Sequence, residues 1–154
     1  MRYFCVMESP VGALTLTEED RQLIGVCFGS TPAPDAAEAE TPLLMRAKQQ
    51  LNEYFSGERK VFDLPLAPKG TPFQQAVWQA LRQIPYGETR TYGAIAAQIG
   101  RPRTARAVGM ANHQNPIAII QPCHRVIGTS GRLTGYAGGL DKKEYLLRLE
   151  KNGK

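Results

Sequence analysis

Residues 61–70, VFDLPLAPKG, carry two prolines and a glycine, and the chain changes sign of charge across them. Proline fixes φ and removes a backbone donor, so such a cluster ends regular structure on both sides. Residues 1–70 hold seven Lys/Arg against ten Asp/Glu, whereas residues 71–154 hold twelve against four. The break predicts two lobes, 1–70 and 71–154, with 61–70 as the linker. A chain of 154 residues is long enough for one compact core or two small lobes, and its 42% hydrophobic content argues against disorder.

The first lobe reads as an antiparallel meander followed by one helix. Segments 2–8, 12–18 and 22–28 are short, rich in β-branched or aromatic residues, and separated by turn signals at residues 9–12 and 19–21. Residues 30–40 are small, acidic and proline-containing, which predicts a surface loop. Thr41 and Pro42 form a helix start, and the helix runs through Leu44, Leu51 and Tyr54 to a stop at Gly57.

The second lobe reads as mainly helical. Thr71-Pro72-Phe73-Gln74 is a capping box with proline at the first helical position, and Phe73, Val77, Trp78 and Leu81 follow at helical spacing. Thr91 caps a short helix from Tyr92 to Ile99; Gly100-Arg101-Pro102 breaks the chain; a further helix covers Arg103 to Ala111. That pattern is a helix-turn-helix. A last helix opens at Asp141 and carries Leu146, Leu147 and Leu149 toward Glu150. The fold class is therefore α+β: a small antiparallel sheet lobe with a helix, then a helical domain.

Between Arg82 and Arg132 the chain has seven arginines and one acid, Glu88, a balance that creates a positive potential suited to a polyanion or a solvated basic face. The second helix of the helix-turn-helix alternates arginines with Ala105, Ala107, Gly109 and Ala111. Small side chains allow close approach, so Arg103, Arg106, Ala105 and Gly109 suggest a helix pressed into a nucleic-acid groove; tight packing on its own protein is the competing reading. Of the three cysteines, Cys5 and Cys27 fall in predicted strands, where free cysteine behaves as a small buried apolar residue. Cys123 differs. An apolar predicted strand over 115–122 stops at Pro122, and His124 and Arg125 follow directly. A thiolate is the nucleophilic form of cysteine and requires a base, for which His113 and His124 are the only histidines. Neighbouring side chains diverge in a strand, so His124 serves Cys123 only if the chain turns there or a water bridges them.

Taken together, TPFQQAVW, IPYGETRTYG, RPRTARAVGMANHQNP, PCHRVIG and GYAGGLDKKEYLLRLE, in this order over residues 71–150, closely resemble the O6-alkylguanine-DNA alkyltransferases. The resemblance implies that Cys123 accepts an alkyl group, that His124 deprotonates it through a water, and that Glu150 orients His124. It further implies that Asn115 holds the turn bearing the cysteine, that Tyr92 helps rotate the nucleotide and protonates the leaving guanine, and that Arg106 replaces the extruded base. Thr129 falls among the implied DNA contacts, and Val126, Thr134, Tyr136 and Ala137 among those lining the base pocket. An alkyl group on guanine O6 lies inside the base stack, so the nucleotide must be flipped out to be reached.

The expected partner is duplex DNA containing alkylated guanine, and the expected protein is a single-use monomer without a cofactor. Zinc on Cys5 and Cys27 is not expected, because no histidine precedes His113 and structural zinc takes four nitrogen or sulfur ligands. No apolar run reaches a membrane span of roughly 18 residues, no targeting signal opens the chain, and three cysteines make no disulfide framework, so the expected address is the cytoplasm. A stand-alone repair module is expected, without the further N-terminal domain of some relatives. The alternatives are a non-catalytic alkyltransferase-like damage sensor or helix-turn-helix regulator, and a cysteine hydrolase using Cys123 and His124.

Overall fold

The computed structural model describes residues 1–129, 136 and 138–153, and the chain forms two compact units. The first comprises Met1–Lys69 with Pro116–Ala118; the second comprises Gly70–Asn115 with Ile119–Lys154.

In the first unit β1 (Arg2–Met7), β2 (Leu14–Glu19) and β3 (Gln22–Phe28) pair antiparallel as a meander. The β2–β3 turn places Asp20 and Arg21 at φ 51° and 64°, the left-handed pair that matches strand twist in a two-residue hairpin. Leu14, Leu16, Leu23 and Val26 are buried, as are Leu44, Ala47, Leu51 and Tyr54 of α1 (Pro42–Phe55), which packs on this sheet. Each buried leucine contributes about 1.5–3 kcal/mol, so this apolar layer outweighs any single polar contact in the unit. Thr41 caps α1 by accepting from the Leu44 amide at 3.1 Å.

Residues 30–40 do not form only a loop: β4 (Ala36–Glu38) joins the sheet parallel to β1, giving the order β3-β2-β1-β4. Three residues without an apolar pattern make too weak a local signal, and their pairing with β1 spans more than thirty residues of chain. Segment 61–70 is likewise pinned rather than loose. Leu23 donates to Pro65 O at 2.8 Å and Ala67 donates to Leu23 O at 2.9 Å, while the buried Gln50 amide makes a two-way pair with the Asp63 backbone at 2.9 and 3.0 Å. Farther along the same strand, Val26 exchanges backbone bonds of 2.9 Å with Pro116 and Ala118. Cys5 is buried, but Cys27 is exposed, because it points from the open face of β3.

The second unit is built on α2 (Pro72–Leu81), α3 (Tyr92–Gln98) and α4 (Ala105–His113), which pack on one another. The Thr71/Gln74 capping box is present on both sides, and Thr91 caps α3 through the Ala94 amide at 3.1 Å. Val77, Trp78, Leu81, Ile95, Val108 and Ala111 form the core, with the Trp78 indole donating to Ala111 O at 2.8 Å. Gly100, at φ +78°, makes the break between α3 and α4. Helix α4 starts and ends two residues later than the spacing predicts, because residues 101–104 close a turn in which Thr104 N and Oγ1 both donate to Arg101 O.

The predicted strand over 115–122 is absent. Ile117 makes one isolated bridge to Val26, and the chain then turns, with the buried β-branched Ile119 at φ 71°. An apolar run of this length reads the same whether it lies in a strand or a buried turn. Residues Cys123–Arg125 form a 3₁₀ turn, after which β6 (Val126–Ile127) pairs parallel with β5 (Arg90–Thr91). That short pairing ties the start of α3 to the segment behind Cys123. Helix α5 (Leu140–Gly153) packs on the 3₁₀ turn.

Candidate active site

The 3₁₀ turn brings Cys123, His124 and Arg125 inward together, and all three are buried. An extended strand would have sent His124 away from the cysteine's side. Asn112 Nδ2 donates to Cys123 O at 3.3 Å, tying the turn to α4. Asn115 donates to Gln121 O at 2.8 Å and accepts from Gln121 Nε2 at 2.7 Å, which closes the 115–121 segment on itself in front of the cysteine. Strain at Ile119 is held by this closure, since a β-branched residue at positive φ persists only where its surroundings impose it.

The Cys123 thiol is 4% exposed. Burial pushes it up, while hydrogen bonds from the Asn115 and Tyr136 side chains and the charge of Lys143 act to favour the thiolate. At rest the sulfur therefore holds its proton, in a site prepared to stabilise the anion once a base removes it.

His124 is held in a defined geometry. Its Nε2 lies 2.6 Å from Glu150 Oε2. An ionised carboxylate only accepts, so Nε2 carries the hydrogen and a neutral His124 keeps its lone pair on Nδ1. Nδ1 is buried without a hydrogen-bond partner among the described residues. Burial lowers His124's proton affinity, as do the Arg125 and Lys143 charges, whereas Glu150 raises it through its hydrogen bond and charge; the net direction is downward. Burial alone would raise the Glu150 carboxyl, but hydrogen bonds and charge from His124 and Arg125 hold it well below the usual carboxylate range. The ring is accordingly neutral and the carboxylate ionised at neutral pH. His113, the other histidine, is exposed at the end of α4.

Besides Asn112, three residues around the site were not assigned roles from the sequence. Arg125 donates from Nε to Glu150 Oε1 at 2.7 Å, from Nη2 to Oε2 at 2.9 Å and from Nη1 to Ile84 O at 2.7 Å, and it sits 5.7 Å over the Tyr86 ring. Counted by sequence among the arginines of a surface field, it is instead buried and neutralised. Lys143 is 0% exposed and donates to Val126 O at 2.6 Å. Gln121 completes the amide pair with Asn115. Lys143, Leu146 and Glu150 form the buried stripe of α5 at steps of three and four, while Leu147 and Leu149 are only half-buried. That spacing was the available signal, and charged residues on a buried helix face are rare unless paired.

The residues assigned to DNA contact lie elsewhere in this unit. Tyr92, Arg106, Gly109, Met110, His113 and Gln114 line an open concavity of about 330 Å³ on α3 and α4. A Cβ placed on Gly109 would meet the Tyr92 ring at 3.8 Å, an ordinary contact, so close packing within the protein does not by itself demand glycine there. Arg103, Ala105, Arg106 and Thr129 are exposed. Val126 and Tyr136 are buried, and Thr134 and Ala137 lie outside the described residues. Among the described residues no three His, Cys, Asp or Glu side chains gather as a metal site requires, and no helix is long and apolar enough to cross a membrane.

Comparison with known proteins agrees with this geometry. Residues 72–152 match the DNA-binding domain of 6-O-methylguanine DNA methyltransferase, and residues 2–68 match the ribonuclease-like domain of the same family. A methylated-DNA–protein-cysteine methyltransferase of Methanosarcina acetivorans is 53% identical, covering 96% of this chain and 97% of that protein. The constitutive enzyme of that name from Bacillus subtilis is 50% identical over 98% of this chain and 96% of its own length. The crystal structure of Mycobacterium tuberculosis OGT in complex with DNA superimposes with a TM-score of 0.92 at 51% identity, covering 98% of this chain and 94% of that one. The chain belongs to the O6-methylguanine DNA methyltransferase family.

Proposed function

We propose that the chain repairs duplex DNA by moving an alkyl group from guanine O6 to Cys123, once per molecule, in the cytoplasm. The observation that carries this reading is the buried Cys123 thiol in a turn beside a neutral histidine whose far nitrogen is held by a paired carboxylate. Family membership supplies the substrate class.

The thiol proton passes through one water to His124 Nδ1, and the thiolate attacks the alkyl carbon opposite O6. The S–C bond forms as the C–O6 bond breaks, and its electron pair leaves with guanine, which takes a proton at N3 from the Tyr92 hydroxyl. The tyrosinate is then reprotonated from solvent, and the His124 imidazolium returns its proton to solvent. A thioether has no hydrolysable bond, so nothing regenerates the thiol. Arg106, on the open face of α4, takes the place of the flipped base, and Arg103 and Thr129 contact the backbone. Helix α4 enters the minor groove, where its small residues permit close approach. Val126 and Tyr136 border the base pocket, and the protein acts as a monomer without a cofactor.

One equivalent of duplex carrying O6-methylguanine should add a single methyl group to the Cys123 peptide, read by mass spectrometry, after which the reaction stops. Continued turnover, or methylation elsewhere, would refute the assignment. Cys123→Ala should abolish transfer and keep DNA binding. A wild-type protein that binds the lesion without becoming methylated would favour the damage-sensor alternative instead.

A further inference from the structure

A histidine facing a carboxylate at 2.6 Å in a buried site is drawn toward the imidazolium form, because an opposite charge within about 4–6 Å raises proton affinity by roughly 1–3 units. Such a resting imidazolium would carry a proton on Nδ1 and could accept none from a thiol. Glu150, however, does not face His124 alone. Oε2 is shared between His124 Nε2 and Arg125 Nη2, at 2.6 and 2.9 Å, and Oε1 receives Arg125 Nε at 2.7 Å. The guanidinium is anchored in turn by Ile84 O and by the Tyr86 ring, so its fork cannot swing away without losing two further contacts.

We propose that Arg125 is a positioning residue that neutralises Glu150, so that His124 rests as the neutral Nε2–H imidazole with Nδ1 open to the Cys123 proton. The proposal rests on reading His124 as the base for Cys123. Without Arg125 the Glu150 charge falls on the imidazole alone, and the base is already protonated over part of the working pH range. With Arg125 the carboxylate still fixes the tautomer and ring orientation, the part a relay carboxylate must play. The other charged groups acting on His124 are Lys143 and Glu150 of α5, with the Tyr86 hydroxyl beyond Arg125. Lys143 and burial act in the same direction as Arg125, which makes a variant necessary to isolate the arginine's share.

The chain has two histidines, so His113→Gln leaves one imidazole, and nitrogen-15 NMR of the free protein reads its charge and tautomer directly. The wild-type His124 should be the neutral Nε2–H form at pH 7. Arg125→Met should move its titration upward by about one unit, with the acid limb of the transfer-rate profile moving equally, so that raising the pH recovers the rate. Arg125→Lys, which keeps the charge, should titrate close to wild type. A purely structural arginine would lower the rate evenly at all pH values and leave the midpoint in place, and that result overturns the proposal. So does a wild-type His124 that is imidazolium or Nδ1–H at pH 7, which can be read even if Arg125→Met fails to fold. Because the NMR uses no DNA, an absence of methyl transfer to Cys123 would defeat the proposed function while leaving this electrostatic result to stand or fall separately.

Discussion

Helices α4 and α5 belong to the same unit, yet the charge on each meets opposite surroundings. On α4, Arg106 is exposed, as is Arg103 just before the helix; on α5, Lys143 and Glu150 are buried at 0% and 1% exposure. Exposed charges act at a distance through solvent and are screened by salt. Buried ones act over one hydrogen bond and must be matched, since leaving one partner alone costs about 3–5 kcal/mol. The comparison teaches that a helix can turn its charge to solvent, as part of a field, or inward to a matched partner, and that burial decides which.

The largest expected effect comes from breaking the buried side. Glu150→Gln leaves Arg125 without its counter-charge, so stability should fall by about 3–5 kcal/mol in denaturant titration. Transfer measured on the folded fraction should fall by about 10²–10⁴, as for loss of a positioned base. Next, Arg106→Ala should slow transfer from duplex by roughly tenfold or more while free O6-methylguanine reacts as before and the melting temperature does not move. An equal loss on base and duplex would place Arg106 in the chemistry and erase the contrast.

A smaller effect should appear in the pH dependence of stability. His124 has a lowered folded value against 6.5, so the unfolded chain binds its proton first as pH falls; this stability is present above about pH 6.5 and is lost below it. Glu150 is also lowered, against 4.5, and its share is lost as pH falls below about 4.5. Melting temperature should therefore drop in two stages on acidification, and Glu150→Gln should shrink the lower one, to which the ion-paired Glu19 and Glu53 also contribute. The smallest effect is Arg103→Ala, which should reduce the slope of log affinity against log salt by about 0.9 with little change in transfer at saturation. A slope unchanged by this variant would remove Arg103 from the DNA contacts.

What the sequence made legible follows the range of the interactions involved. The caps Thr41, Thr71 and Thr91, the stop at Gly57 and the meander turns are local devices, and each is found where local chemistry places it. The first strands of the sheet followed from pattern, but β4 did not, because its pairing with β1 is distant in the chain. Segment 115–122 was misread because Ile119 adopts a left-handed backbone that only its surroundings explain. For the site, Cys123 stood out from its flanking Pro122 and His124, whereas Glu150 could be assigned only through the family resemblance. Arg125 read as one charge of a basic stretch, and Lys143 drew no reading, because a charge's burial is a tertiary fact.

The enclosure of Cys123 also bears on reagents other than the lesion. A thiol that keeps its proton and shows almost no surface reacts slowly with peroxide or with small soluble electrophiles, since both require an accessible thiolate. On the proposed reaction, the methylating agents that damage the genome would meet a shielded sulfur in the unbound protein. Its reactivity would then be reserved for a base delivered into place, and chemical exposure alone would not deplete the pool of intact molecules.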